Sequence, residues 1–204
     1  MTVKLVGSSS GSVSIAAPAT TTGGADRVIT LPDAADGTML TTTNPKAGNV
    51  IQVVSTTKQD VFSQAGDNAT YAAITGLSAT ITPANASNKI LIQVQIYTGN
   101  TADDYANLFR LYKAGSHLTG ASGTGEGSRD AAFLCHRQGN QNVDPFSLSN
   151  SYLDTAGGTS AITYQLHMKV ETSSTGYIGR QGTNDNNLYN CRVSSTITLM
   201  EIAA

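Results

Sequence analysis

The chain has 204 residues, 13% of them charged, and a formal net charge of −2, with a pI near 5.8. The missing basic surplus excludes a nucleic-acid groove, and no Lys/Arg cluster marks a membrane-facing surface. No apolar run approaches the about 20 residues that cross a bilayer, so membrane insertion is not expected either.

Met1 to Val6 lead straight into a Ser/Gly stretch and lack the apolar run of a secretory signal, so synthesis in a cytoplasm is expected. Up to about residue 46 there is no aromatic residue; the first is Phe62. The apolar residues there are small or β-branched and fall in short runs: Val13 to Ala17, Arg27 to Leu31, and Thr38 to Leu40. Pro18, Gly23-Gly24 and Pro32-Asp33 to Asp36-Gly37 separate them as turn signals. Such a segment has too few large side chains for a core of its own. It either frays or is covered by neighbouring copies, and threefold association is the simplest closed arrangement.

From about Ala47 the pattern strengthens. Strands are predicted at 50–54, 59–63 and 77–81, the last stopped by Pro83. Residues 89–98 place Ile90, Ile92, Val94 and Ile96 on one face. Residues 107–113 set Phe109 and Leu111 against Leu108, Arg110 and Tyr112. Shorter strands are predicted at 131–137 and 146–149. Residues 160–171 alternate most regularly, with Ile162, Tyr164, Leu166, Met168 and Val170 on one side and Thr163, Gln165, His167, Lys169 and Glu171 on the other. The last strand, 192–202, is apolar on both faces, as expected where a sandwich strand is buried against a neighbouring subunit. With abundant Ser, Thr, Gly and Asn, only three Glu and no amphipathic helix, the chain is predicted to be all-β. The expected architecture is an antiparallel β-sandwich with the jelly roll as first choice. It is preceded by a β-rich arm, so the expected domains are 1–46 and 47–204.

Residues 12–43 resemble a short repeat of phage tail fibres, carried by Arg27-Val28-Ile29-Thr30-Leu31-Pro32-Asp33 and Asp36-Gly37-Thr38 with one extra residue in the turn. Residues 47–204 resemble a C-terminal domain of fibre-like proteins from marine and cyanobacterial phages. The stretches that carry this are Ile51 to Lys58, Gly76-Leu77-Ser78 with Ile81-Thr82-Pro83, Ser87 to Ile92, Ser160 to Tyr164, and Ser195 to Ile202. The resemblance implies a trimeric jelly-roll head of the tumour-necrosis-factor or complement-head (C1q) kind, and a bacteriophage virion structural protein assembled in the host cytoplasm. A tail fibre attaching to a host glycan or protein, its N-terminal segment docked to other virion proteins, is the first expectation. A capsid decoration or head-fibre protein and a glycan-hydrolysing tailspike are the alternatives.

No catalytic, cofactor or metal site is expected. No nucleophile elbow surrounds any serine, and His167 sits on the polar face of a strand as an ordinary solvated residue. Gly115 to Ser128 lacks the lysine of a phosphate loop. Asp103-Asp104 with Asn107, and Asn184 to Asn187, lack EF-hand spacing and read as solvated turns. Cys135 and Cys191 are expected to be buried thiols; Cys135 and His136, adjacent in a strand, point to opposite faces and do not converge on a metal. Receptor contact is expected in loops 99–106, 115–129 and 172–190. Tyr105, Tyr152, Tyr177 and Tyr189, with Asp103, Asp104 and Asn186, are the candidate residues; Tyr97 is a further tyrosine of the same kind.

Overall fold

A strand with every second residue apolar has one face to bury, and two such sheets bury them against each other. The computed structural model describes residues 2–6, 12–16, 45–137, 139 and 146–204. The chain divides into two units, Met1–Met39 and Leu40–Ala204.

In the first unit, β1 (Thr2–Val6) and β2 (Ser12–Ala16) pair antiparallel, with Thr2 opposite Ala16 and Val6 opposite Ser12. The strand anticipated at Val13 is present; the one at Thr2–Val6 was not anticipated. The strands expected at 27–31 and 38–40 lie outside the described residues.

The second unit is the expected antiparallel sandwich. Its strands are β3 (Val50–Lys58), β4 (Phe62–Ala65), β5 (Ala72–Ile81), β6 (Lys89–Asn100), β7 (Ala106–Lys113), β8 (Ser116–His117), β9 (Leu134–Arg137), β10 (Phe146–Thr155), β11 (Ile162–Val170), β12 (Thr175–Ile178) and β13 (Ser195–Ile202). The first sheet runs β3-β13-β6-β10, and the β4-β12 pair adds to β6 beyond the start of β13. The second runs β5-β11-β7, with β8 and β9 sharing the far edge of β7. The long strands alternate between sheets, and β13 pairs with β3, which gives the jelly-roll winding.

The core lies between the sheets. Ile90, Ile92, Val94 and Ile96 of β6, with Ile197 and Leu199 of β13, meet Phe109 and Leu111 of β7 and Ile162, Tyr164, Leu166, Met168 and Val170 of β11. The alternation read from β6 and β11 is thus the inside–outside pattern of the sandwich. Gly76 (φ +81°) lies where β5 bulges against β11, between the Gln165–Ser78 and His167–Ala73 pairs. That left-handed turn lets Ile74 and Leu77 both point inward.

A polar plug closes one end of the sandwich. Asn107 Nδ2 donates to Thr98 Oγ1 (3.1 Å) and to the Gly99 carbonyl (2.9 Å), while Asn100 Nδ2 donates to Asn107 Oδ1 (2.9 Å) and Ser174 Oγ (3.1 Å). At the other end the Glu201 carboxylate, buried, accepts from the Ala84 N–H (2.7 Å) and Asn88 Nδ2 (2.6 Å).

The cysteines correct an expectation. Both are exposed free thiols. Cys135 lies on β9 opposite Leu108, so its side chain points outward, whereas its neighbour His136 points inward and is buried. Cys191 lies in the loop before β13. The last strand is not apolar on both sides along its length either. Ile197 and Leu199 are buried, but the outward side carries Thr196 and Thr198 beside Met200 and Ile202, and Val193 precedes the strand and is exposed.

Candidate interaction surfaces

Each sheet has a second, outward face, and the two are chemically unlike. On the first sheet, strand register places outward side chains in rows across β3, β13, β6 and β10. One row is Val53, Met200, Leu91 and Leu153. The next is Ser55, Thr198, Gln93 and Ser151, and the third is Thr57, Thr196, Gln95 and Ser149. None of these residues is charged. Val53 and Leu153 are 57% and 51% exposed. A hollow of about 500 Å³ opens over the polar rows, lined by Gln93, Gln95, Ser149, Asn150, Ser151, Thr196 and Thr198. Ser55 and Thr198 hydroxyls bond each other at 2.9 Å. At the margin of this face Lys89 Nζ donates to Thr155 Oγ1 (2.8 Å).

The outward face of the second sheet carries charge and rings. The Tyr112 and His167 rings stack at 3.7 Å and 12°, and His117 lies 5.8 Å from Tyr112 on its other neighbouring strand. Beside them Asp130 gathers three donors: Arg110, Lys169 and the Tyr71 hydroxyl (2.9 Å). The Arg110 guanidinium also covers the Tyr71 ring at 4.1 Å and donates to the Ala131 carbonyl (2.8 Å). Asp130 thereby fastens the segment that follows the 3₁₀ turn Thr119–Ala121 onto the sheet. Burial pushes the Asp130 carboxyl up, but the Lys169 and Tyr71 hydrogen bonds and the Arg110 charge outweigh it and hold it below the usual carboxylate range. Burial, followed by the Asp130 hydrogen bond, pushes the Tyr71 phenol up. Burial pulls the His117 and His167 imidazoles down. His167 is therefore no ordinary solvated residue: it is half-buried against Tyr112, and its Nδ1 bonds the Tyr71 carbonyl at 3.1 Å.

The residues anticipated from the sequence lie elsewhere. Asp103, Asp104 and Tyr105 sit in the β6–β7 loop, where Asp104 (φ +64°) pairs with Arg137 at 3.6 Å. That loop is tied to the start of β12 by the Thr101 N–H donating to the Thr175 carbonyl (3.0 Å). Tyr177 is on β12 within the expected 172–190 loop, with Arg180 over its ring at 3.4 Å. Asn186 and Tyr189 follow on the segment to β13; Tyr189 is 82% and Leu188 90% exposed. Tyr97 is buried, with its hydroxyl 3.4 Å from Cys191 Sγ. Tyr152 is in mid-β10 and packs on the core, with its hydroxyl against Gly120. Sequence reasoning missed the Tyr112–His167–Arg110 face; the available signal was that all three occupy outward parities of β7 and β11. Among the described residues no cluster of three or more His, Cys, Asp or Glu side chains is placed to hold a metal, and no helix is long and apolar enough to cross a membrane.

No family model matches the chain, and no curated protein matches it. Among solved structures it is similar to infectious bursal disease virus Gt strain (13% identity, TM-score 0.41, covering 98% of this chain and 46% of that one). It is likewise similar to infectious bursal virus derived T=1 particles (14%, TM-score 0.41, 98% and 44%) and to the VP2 subviral particle of infectious bursal disease virus (13%, TM-score 0.41, 88% and 42%). The chain spans less than half the length of each.

Proposed function

We propose that this chain is a non-enzymatic structural protein of a bacteriophage virion, a tail fibre component assembled as a homotrimer. The head is the sandwich, and the N-terminal segment docks to other virion proteins. The observation that supports this reading is the charge-free outer face of β3-β13-β6-β10. The cores of protein interfaces are depleted of charged residues, and the three rows of this face carry none. Hydroxyl and amide groups lose less on leaving water than charges do and re-pair readily across an interface. The apolar row supplies area to bury, and the hollow over Gln93 and Thr198 accepts side chains of a second copy.

With that face turned to the trimer axis, the second sheet and the loops carrying Asp103, Asp104, Tyr105, Tyr177, Asn186 and Tyr189 face outward, toward a host glycan or protein. Sedimentation equilibrium of the full chain tests the assembly: a trimer at micromolar concentration is expected, and a stable monomer overturns it. Immunogold labelling of virions tests the address. Gold on the tail supports a fibre, and gold on the head replaces it with a capsid decoration protein. Release of reducing ends from host polysaccharide would overturn the non-enzymatic part.

A further inference from the structure

Three polar groups on the outer face of the second sheet have hydrogen-bonding capacity that no described residue uses: the Tyr112 hydroxyl, the Gln165 amide and one nitrogen of His167. Tyr112 and Gln165 are directly opposed across β7 and β11, and His167 is the next outward residue along β11. The His167 Nδ1 sits 3.1 Å from the Tyr71 carbonyl, which can only accept. A neutral ring therefore carries its proton on Nδ1 and leaves Nε2 as a bare acceptor. The stack on Tyr112 fixes both rings, so little side-chain freedom remains to be lost on binding. Directly opposite His167 is Arg110, and next along β11 is Lys169. These two cations share the carboxylate of Asp130, while Glu171, the next outward position after Lys169, turns its Oε2 to the Ala106 N–H (3.0 Å), so Arg110 and Lys169 have one paired carboxylate between them. Glu126 and Arg129, further along the covering segment, pair with each other at 3.3 Å.

We propose that this patch is a binding site for an acidic saccharide. Its ring hydroxyls bond Tyr112, Gln165 and His167 Nε2, and its carboxylate lies toward Arg110 and Lys169. Groups that both donate and accept (the phenol and the amide) beside a pure acceptor match vicinal hydroxyls, which do both. The assignment rests on the attachment reading for its biological setting, and it names the ligand class and places contact on the sheet, away from the loop tyrosines.

The test titrates the full chain with an oligogalacturonate and with the matching neutral galactose oligomer, followed by NMR chemical shifts. Tyr112→Phe keeps the stack and removes only the hydroxyl; Gln165→Leu removes the amide; Thr82→Ala, exposed in the loop between β5 and β6, is the loop control. Binding of the uronate in the millimolar range or tighter is expected, with each of the first two variants weakening it about 5-fold or more, the cost of one lost hydrogen bond, and the loop control unchanged. No shift at about 10 mM uronate, or binding untouched by both variants, overturns the site. Equal affinity for the neutral oligomer overturns its acidic character. Sedimentation of the same samples separates the two readings: a trimer that ignores the uronate defeats this site alone, and a monomer that binds it defeats the fibre assembly alone.

Discussion

The two outward sheet faces are built from the same alternating backbone and differ in what evolution has placed on it. The β3-β13-β6-β10 face offers Ser, Thr and Gln around an aliphatic row, and its hydroxyls bond one another across strands, as Ser55 and Thr198 do. The β5-β11-β7 face offers Arg110, Lys169, Asp130, two histidines and two tyrosines knitted by ion pairs and ring contacts. The first can be covered at small desolvation cost; the second gains from staying at the water boundary, where its charges remain hydrated. Charge is thus sorted by face, although the chain as a whole is nearly neutral.

The sharpest way to break this contrast is to put a charge where none is found. Thr198→Arg, at the centre of the charge-free face, is expected to weaken self-association by more than about 100-fold, because an unpaired charge is buried against a partner. Ser78→Arg on the other sheet is expected to leave it unchanged; sedimentation velocity reads both, with circular dichroism confirming the fold. The next effect belongs to the second face. Asp130→Ala strands two cations at a site where their side chains are 21% and 17% exposed. A loss of about 2 kcal/mol in urea unfolding is expected, with faster proteolysis at Arg129.

Acid distinguishes the faces more gently. Burial pulls His117, His136 and His167 down, and among the described residues His136 has no hydrogen-bond partner for either ring nitrogen. The unfolded chain takes up protons near pH 6.5 that the folded chain refuses, so this part of the stability is full above about 6.5 and falls as pH drops below it. The urea midpoint is expected to fall between pH 7.5 and 5.5, and His136→Phe to remove part of the slope. Association is expected to hold, since the charge-free rows contain nothing that titrates. A lower window follows from Asp67, held at about 2 by hydrogen bonds from Thr70 and Ala69, and from Asp130; both lose their contribution only as acid reaches the carboxylates. The smallest effect is expected at Tyr189→Ala, where an 82% exposed ring should change stability by no more than about 0.5 kcal/mol.

The sandwich was legible wherever a strand buries one face fully. In β6 and β11 each apolar position read from the sequence is buried. β12 was not legible because it is short and opens Thr175-Gly176: Gly176 is required there, since a Cβ would lie 2.5 Å from Asn107 Oδ1 and 2.7 Å from Val170 Cγ2. That is a tertiary demand with no local signature. The same holds for the Tyr112–His167 stack, whose partners lie far apart in sequence and meet only through the β7–β11 register. The cysteines were misread because burial was inferred from residue type, while edge position and a loop decide it here. The polar rows of the first sheet were visible only as scattered Ser, Thr and Gln until register aligned them.

β13 lies between β3 and β6 and bonds to both along most of its length, with Ser195 opposite Lys58 and Thr196 opposite Gln95. Until that strand leaves the ribosome, β3 and β6 each present a bare hydrogen-bonding edge beside Val53 and Leu91, a template for mispairing with another nascent chain. Closure by contacts this distant along the sequence is slow. Yield on expression should therefore be governed by how quickly the final strand reaches its slot, and cooling or slower induction should favour soluble product over inclusion bodies.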